Sequence, residues 1–208
     1  MKATYIAFEG IDGSGKTKQT ELLYNYLVSQ GKKVLLTREL GSPHDQACNK
    51  LREFHLCSTL EMDDLAAQYL LPSCSIQHSE KVIKPNLKNY DFILSDRSLE
   101  SNLAYGYALG FGKSLINQIF LQDKRRTFPD IIVYLDIEPE VAYARSKARK
   151  QEYTLTDRIE GKGLEFQKMV RESYLERIPF FPKDSLTLNV STLSIQAVHQ
   201  KILEGLKL

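Results

Sequence analysis

The stretch Gly10-Ile11-Asp12-Gly13-Ser14-Gly15-Lys16-Thr17 decides how the rest of the chain is interpreted. It fits the pattern of a glycine, four residues of any type, and then Gly-Lys-Ser/Thr. Residues 4–9, directly before it, are mostly apolar and β-forming, which predicts a buried strand. Apolar side chains between residues 22 and 27 recur at helical spacing, so a helix is expected to begin near Gly15.

This strand–loop–helix context favours a phosphate site over an ordinary glycine-rich turn before a helix. Glycines let the backbone curve around phosphate oxygens, and the free N–H groups at the helix start attract anions. The Lys16 ammonium can follow a transferred phosphoryl group, and the Thr17 hydroxyl can bind Mg²⁺. The sequence therefore predicts a nucleoside triphosphate site formed by Gly10, Gly13, Ser14, Gly15, Lys16 and Thr17.

Further strands and helices alternate along the chain. The patterns predict strands at 33–37, 92–95, 131–136 and 186–190, and helices at 46–56, 61–71 and 79–88, with two more from about 138 and 194. Such alternation is typical of a parallel sheet covered by helices on both faces. We expect a doubly wound α/β domain with about five parallel strands.

Polar residues follow the predicted strands at their carboxyl ends, where open α/β sheets bind ligands. Arg38 to Gly41 follow the second strand, and Asp96 and Arg97 follow the third. An acid there can hold Mg²⁺ and an arginine can hold a phosphate as a rigid fork. The alternative is an N-cap aspartate beside a surface arginine, which the nearby glycine loop makes less attractive.

A basic segment ends the helix that begins near residue 138. Arg145 and Arg149 lie four residues apart and therefore share a helix face. Together with residues up to 157 they are interpreted as a mobile lid that brings positive charge and excludes water. The alternative is a solvated helix end whose cations complement the helix dipole. Another helix is expected to open at Asp157, with a buried side formed by Phe166, Met169, Val170 and Tyr174.

Composition narrows the class of protein. The 208 residues include 28 Lys and Arg against 26 Asp and Glu, which gives no reason to expect a nucleic-acid or membrane partner. No apolar run approaches the roughly 20 residues that span a bilayer, and no signal peptide precedes the first strand, so a cytoplasmic protein is expected. Three unpaired cysteines are expected to be reduced, and four scattered histidines are expected to have surface or capping roles. One domain over 1–208 is the simplest organisation.

In these motifs and their order the sequence resembles the thymidylate kinase family over nearly its whole length. The matching pieces are residues 8–17, 37–39, 96–97, 101–105, 129–136, 157–160 and 163–166. The resemblance implies a three-layer P-loop kinase fold that uses ATP and Mg²⁺ to phosphorylate dTMP to dTDP for dTTP synthesis. It also implies a homodimer.

The resemblance assigns roles to individual residues. Asp12 is expected near the metal and the acceptor sugar, and Lys16, Arg97 and Arg149 are expected to be catalytic. Gly13 is basic in some members, and its lack of charge resembles the bacterial arrangement in which lid arginines supply the cation. In addition to the loop residues, Arg145 and Arg149 are expected to bind ATP, and Thr17, Asp12 and Asp96 are expected to bind the metal. The residues expected to contact the acceptor are Asp12, Arg38, Arg52, Leu71, Ser75, Arg97, Asn102 and Tyr105.

Departures from the family pattern concern the base. Leu71 replaces a phenylalanine that stacks on thymine, Ser75 replaces an arginine that bonds its edge, and a glutamine is missing before Gly106. An altered or relaxed preference for another deoxynucleoside monophosphate is therefore an alternative. Whether Gln77 or His78 replaces the lost contacts stays open. A non-enzymatic nucleotide switch is a third hypothesis, although no Asn-Lys-x-Asp guanine motif is present and both Lys16 and Arg97 remain.

Overall fold

The computed structural model describes residues 2–150 and 158–208. Five parallel strands form its sheet in the order β2-β3-β1-β4-β5. Their bounds are β1 (Thr4–Glu9), β2 (Val34–Arg38), β3 (Phe92–Asp96), β4 (Ile131–Asp136) and β5 (Leu186–Asn189). The predicted α/β class, with five parallel strands, is confirmed.

Helices connect the strands and cover both faces of the sheet. They are α1 (Lys16–Ser29), α2 (Gln46–Leu56), α3 (Asp64–His78), α4 (Lys84–Asn86), α5 (Leu99–Ala108), α6 (Lys113–Leu121), α7 (Pro139–Lys150), α8 (Gly163–Arg177) and α9 (Ile195–Leu206), with a π-helical segment Ser79–Ile83 between α3 and α4.

The two faces of the sheet bury separate apolar clusters. Ile6 and Phe8 belong to the larger cluster, whereas Tyr5 packs in a smaller one with Val82 and Ile83. Because side chains alternate between the faces of a strand, this division follows directly from the strand pattern.

The strand order places two loops side by side. β3 lies next to β1, with Phe8 opposite Asp96, and the Arg97 N–H donates to the Phe8 carbonyl at 2.9 Å. From β1 the chain moves toward one sheet edge, and from β3 it crosses to the other side of β1. Ligands of open α/β sheets bind at such a switch point.

Two predicted helices, 61–71 and 79–88, are joined in the structure. The first begins at Asp64, because the Asp63 carboxylate caps it by accepting from the Leu65 and Ala66 N–H groups at 2.9 and 3.0 Å. Pro72 lies inside the helix and cannot donate to the Gln68 carbonyl. The buried face of α3 nevertheless packs along α2, and this packing outweighs the local cost of the proline.

The predicted buried side of α8 is partly wrong. Phe166, Val170 and Tyr174 are buried, but Met169 is 44 % exposed, because it lies on the neighbouring face of the helix. The predicted start at Asp157 lies outside the described residues, and a short 3-10 helix, Glu160–Lys162, precedes α8.

Candidate active site

The glycine-rich loop lies between β1 and α1, as predicted. Lys16 is the first residue of α1, and its buried Nζ donates to the Ile11 carbonyl at 2.9 Å. Burial lowers the pKa of Lys16 to about 8, and the Arg97 charge adds to this effect, while Asp12 and Asp96 oppose it. A phosphate arriving at the loop would supply the counter-charge that this ammonium lacks.

Gly13 is required by its surroundings as well as by its backbone. Its φ is 89°, a region that L side chains rarely adopt. A Cβ at this position would lie 2.2 Å from the Ala142 carbonyl oxygen of α7. The family's basic alternative at this position therefore does not fit unless α7 moves.

Thr17 and Asp96 form a pair of oxygen ligands. The Thr17 hydroxyl donates to Asp96 Oδ2, while Oδ1 of the same carboxylate is buried with no hydrogen-bond partner in the described structure. Mg²⁺ prefers oxygen ligands and typically takes only one or two protein groups plus phosphate oxygens and water. The orphaned oxygen beside the Thr17 hydroxyl therefore fits such an ion.

The Arg97 guanidinium is held by several neighbours. It donates to the Asp12 carboxylate, to the Ser101 hydroxyl at 3.0 Å and to the Tyr105 hydroxyl at 3.2 Å. The Tyr105 hydroxyl in turn donates to Asp12 at 3.1 Å. Arg97 has a φ of 71°, an uncommon conformation for a residue other than glycine, so these contacts hold it against local strain.

Asp12 thus contacts Arg97 and Tyr105, whereas it was expected to bind metal. Both of its carboxylate oxygens already accept hydrogen bonds. The geometry makes Asp12 a positioning group for Arg97, and its part in metal binding stays a prediction.

A buried carboxylate supports this cluster from behind. Glu9 accepts from the Ser98 N–H and hydroxyl at 2.6 and 2.7 Å, from the Ser101 hydroxyl at 2.6 Å and from the Tyr174 hydroxyl at 2.7 Å. Burial raises the pKa of Glu9, and these donors together with the Arg97 charge partly offset the rise. In the sequence, the signal that could have identified Glu9 is its place as an acidic residue at the end of an apolar strand.

A second buried network involves Glu39, which the Asn102 amide contacts at 2.9 Å. His78 lies 3.7 Å from Glu39 and bonds the Thr37 hydroxyl at 2.8 Å. Burial alone would raise the pKa of Glu39, but the hydrogen bond and charge of His78 and a hydrogen bond from Ser75 lower it. His78 and Ser75 are therefore engaged with Glu39.

An open cavity of about 740 Å³ unites the predicted residues. The predicted site residues that line it are Asp12, Gly13, Gly15, Lys16, Thr17, Arg38, Arg52, Leu71, Asp96, Arg97, Asn102, Tyr105 and Arg145. Within the described structure, Gly10, Ser14 and Ser75 do not line this cavity. The Arg149 side chain and lid residues 151–157 lie outside the described residues.

Several polar residues outside the predicted site set also line the cavity, among them His55 and Gln68. The sequence predicts surface or capping roles for the histidines, yet His55 and His78 are buried. The reason is that helices α2 and α3 pack against each other and turn these side chains inward. Helical spacing alone does not fix which face of each helix meets the cavity.

Two features are absent from the residues that the structure describes. No helix in 2–150 or 158–208 combines the length and apolar character needed to cross a membrane. Nor do these residues contain a group of three or more His, Cys, Asp or Glu side chains arranged to hold a metal ion.

Comparison with known proteins agrees with this geometry. A family model described as thymidylate kinase matches residues 8–202. The chain is similar to a thymidylate kinase of Caldanaerobacter subterraneus subsp. tengcongensis, with 34 % identity over 100 % of this chain and 96 % of the relative. It is 37 % identical to one of Thermosipho africanus, covering 95 % and 94 % of the two chains. A crystal structure of thymidylate kinase from Ehrlichia chaffeensis superposes with a TM-score of 0.75 and 27 % identity over 100 % of both chains.

Proposed function

The chain belongs to the thymidylate kinase family, and on this premise we propose that it transfers the γ-phosphoryl group of ATP to dTMP, giving ADP and dTDP. The observation that carries the proposal is the meeting of two sites in one cavity. The phosphate loop follows β1, and the Arg97 cluster follows the neighbouring strand β3. A donor and an acceptor held there are positioned for direct transfer between them.

Lys16 would act on the donor. Its ammonium is buried at the start of α1, where the free N–H groups of the helix start would face the donor phosphates. It can follow the γ-phosphoryl group and neutralise charge on the oxygens during transfer. Arg145 lines the same cavity and would add charge from α7, and Arg149 remains a prediction for the same role.

Arg97 would hold the acceptor phosphate. Asp12 and Tyr105 fix its guanidinium from two sides, so a phosphate oxygen would meet an arginine that is already oriented. The acceptor phosphate is itself a competent nucleophile, so the reaction needs positioning and charge stabilisation more than a general base. Arg38 and Arg52 line the same cavity and would supply further cations.

Thr17 and Asp96 would hold Mg²⁺, the ion that the family generally requires. When bound, the ion neutralises charge on the donor phosphates. The Thr17 hydroxyl would exchange its hydrogen bond to Asp96 for the ion, while the buried Asp96 Oδ1 would gain a partner.

The remaining parts of the proposal are a single domain over 1–208, a lid at about 145–157, a homodimer and a cytoplasmic location. Of these, the homodimer rests on the family resemblance alone, whereas the other three are expected from the sequence pattern and composition. The alternative of another deoxynucleoside monophosphate as acceptor has no support from the relatives, whose names all state thymidylate kinase.

The direct test is ADP release with MgATP and each monophosphate in turn, namely dTMP, dUMP, dCMP, dAMP and dGMP. We expect dTMP to give the highest kcat/KM. Lys16→Ala should lower kcat on the order of 10³-fold, because it removes a cation from the transition state. Lys50→Ala serves as a control, since Lys50 is exposed and pairs only with Glu53 among the described residues. Near-normal turnover by Lys16→Ala would contradict the proposal.

A further inference from the structure

One end of the cavity contains an unsatisfied polar side chain. Gln68 lines the cavity and is only 1 % exposed. Its Oε1 is fully buried, and no hydrogen-bond partner for it exists in the described part of the chain. Burying an amide without a partner is costly, and such groups in native proteins are uncommon. A side chain of this kind on a cavity wall points to a ligand that completes it.

The surroundings of Gln68 are specific to this sequence. Gln68, Leu71 and Ser75 share the buried face of α3, and the last two are the positions where the family's base-contacting residues are replaced. A Cβ on Gly106 of α5 would lie 3.3 Å from Gln68 Oε1 and 2.9 Å from Ile116 Cγ2. The bare glycine thus leaves room for the glutamine beside α5.

The other candidates for base contacts are already engaged. The Gln77 amide donates to the Asp45 carboxylate at 3.0 Å. His78 bonds Thr37 and lies beside Glu39, and the Ser75 side chain helps to lower the pKa of the same carboxylate. Leu71 lines the cavity without any polar atom to offer. Among the described residues on this face of α3, Gln68 therefore keeps a buried amide oxygen without a hydrogen-bond partner.

We propose that Gln68 recognises the polar edge of the thymine base of the acceptor. The neighbouring Tyr105 joins this region to the phosphate-binding end, because its hydroxyl contacts Arg97 while the next residue, Gly106, faces Gln68. A base at Gln68 and its 5′-phosphate at Arg97 would therefore contact neighbouring faces of α5.

The chemistry of the two groups is complementary. A carboxamide offers one acceptor and an N–H donor on the same plane. Thymine presents an O4 acceptor beside its N3–H donor, so the amide N–H can donate to O4 while its oxygen accepts from N3–H. Exchange of the amide oxygen and nitrogen by rotation needs no backbone movement. The glutamine supplies both contacts, whereas an arginine supplies only donors.

The inference rests on the proposed function and has a separate test. Gln68→Met keeps the length of the side chain but removes its polar atoms. We expect the KM for dTMP to rise on the order of 10-fold, with kcat and the KM for ATP changed less than about twofold. Gln77→Met is the matched control on the same helix, and it should leave the KM for dTMP unchanged.

A modified substrate separates recognition from a structural role. N3-methyl-dTMP lacks the N3–H donor, so the wild-type protein should prefer dTMP over it strongly. In Gln68→Met this preference should fall on the order of 10-fold, because the amide that recognised N3–H is gone. A merely structural glutamine would leave the ratio of the two substrates unchanged.

Each outcome bears on one proposal. If the wild-type protein phosphorylates dTMP but Gln68→Met keeps both the KM and the preference against N3-methyl-dTMP, the inference is overturned and the proposed function stands. If the wild-type protein does not act on dTMP, the proposed function fails first. Should Gln68→Met not fold, Gln68→Glu replaces it, and its carboxylate should raise the KM for dTMP at least as much by repelling O4.

Discussion

At the scale of single residues, His55 shows how packing changes a side chain's chemistry. It is 3 % exposed on α2 and lies near two arginines. Burial lowers its pKa to about 4, the charges of Arg158 and Arg52 contribute to the lowering, and Asp64 opposes them. The protein therefore keeps His55 neutral throughout the physiological pH range.

This predicts an acid-dependent loss of stability. In the unfolded chain His55 takes up a proton below its ordinary pKa of 6.5, whereas the folded protein does so only near 4. Between these values the unfolded state binds more protons, so the free energy of unfolding falls as the pH falls, by up to about 3 kcal/mol. Urea titrations from pH 7 to pH 4 should show a shallower decline for His55→Gln. An equal decline in both proteins would contradict the role of His55.

The sequence could predict site residues where local pattern fixes their position. Lys16, Asp96 and Arg97 follow strands or open a helix, and parallel strands necessarily bring these points to one edge of the sheet. It could not place Ser75 or Gln68, which lie on the same helix. Which of them meets the cavity depends on how α3 rotates against α2 and α5, and that is decided by tertiary packing.

At the scale of elements, the phosphate loop and α7 are fitted to each other. Gly13 approaches the Ala142 carbonyl so closely that no side chain can stand between them. Since α7 also carries Arg145, the loop and the base of the predicted lid are in direct contact.

We predict that Gly13→Ala lowers both stability and ATP affinity. The added Cβ would meet the Ala142 carbonyl at 2.2 Å, in addition to the cost of a φ of 89° for a side-chain-bearing residue. The conformational cost alone is about 1–2 kcal/mol, so the total should exceed it. Thermal unfolding and ATP titration measure the two effects.

Gly31→Ala is the matched control for backbone conformation. Gly31 has a φ of 75°, and a Cβ added there would have no atom within 4 Å, so this variant should show the conformational cost alone. Equal losses in the two variants would mean that contact with α7 contributes nothing.

Element boundaries were predictable where both ends carry signals. β1, β4 and α2 have the bounds that the sequence patterns predict. In the two strands the apolar runs span the residues that pair in the sheet, and in α2 the capping residue lies at the observed start of the helix. A continuous α3 is not expected from the sequence, because a proline such as Pro72 usually ends a helix. The packing that carries this helix past the proline is absent from any local window of sequence.

At the scale of the whole molecule, the hydrogen bonds around Glu9 join distant parts of the chain. Ser98 precedes α5, Ser101 lies within it, and Tyr174 comes from α8, while Glu9 itself ends β1. The central strand and two helices therefore meet at one buried carboxylate, directly before the phosphate loop.

Tyr174→Phe should accordingly destabilise the whole fold by on the order of 1–3 kcal/mol, because Glu9 loses one buried donor. The pKa of Glu9 is raised by burial, so its charged form is disfavoured and stability declines as the pH rises through that pKa. Losing the Tyr174 donor raises the pKa further, and the variant should therefore lose more stability at pH 8 than at pH 5.

Urea denaturation at these two pH values tests the prediction. Tyr69→Phe is the control, since Tyr69 is exposed on α3. If the loss of stability in Tyr174→Phe is independent of pH, the prediction that Tyr174 acts through the ionisation of Glu9 is contradicted.

The close approach of Gly13 to Ala142 also restricts how this protein can evolve. Ordinary carbon–oxygen contacts need roughly 3.5 Å, so a side chain at 13 requires α7 to retreat by about 1 Å or more. A lineage that places a basic side chain at position 13 must therefore first remodel the start of α7. Residues 13 and 142 are therefore expected to change together among descendants of this sequence, because no single substitution can introduce a side chain at position 13.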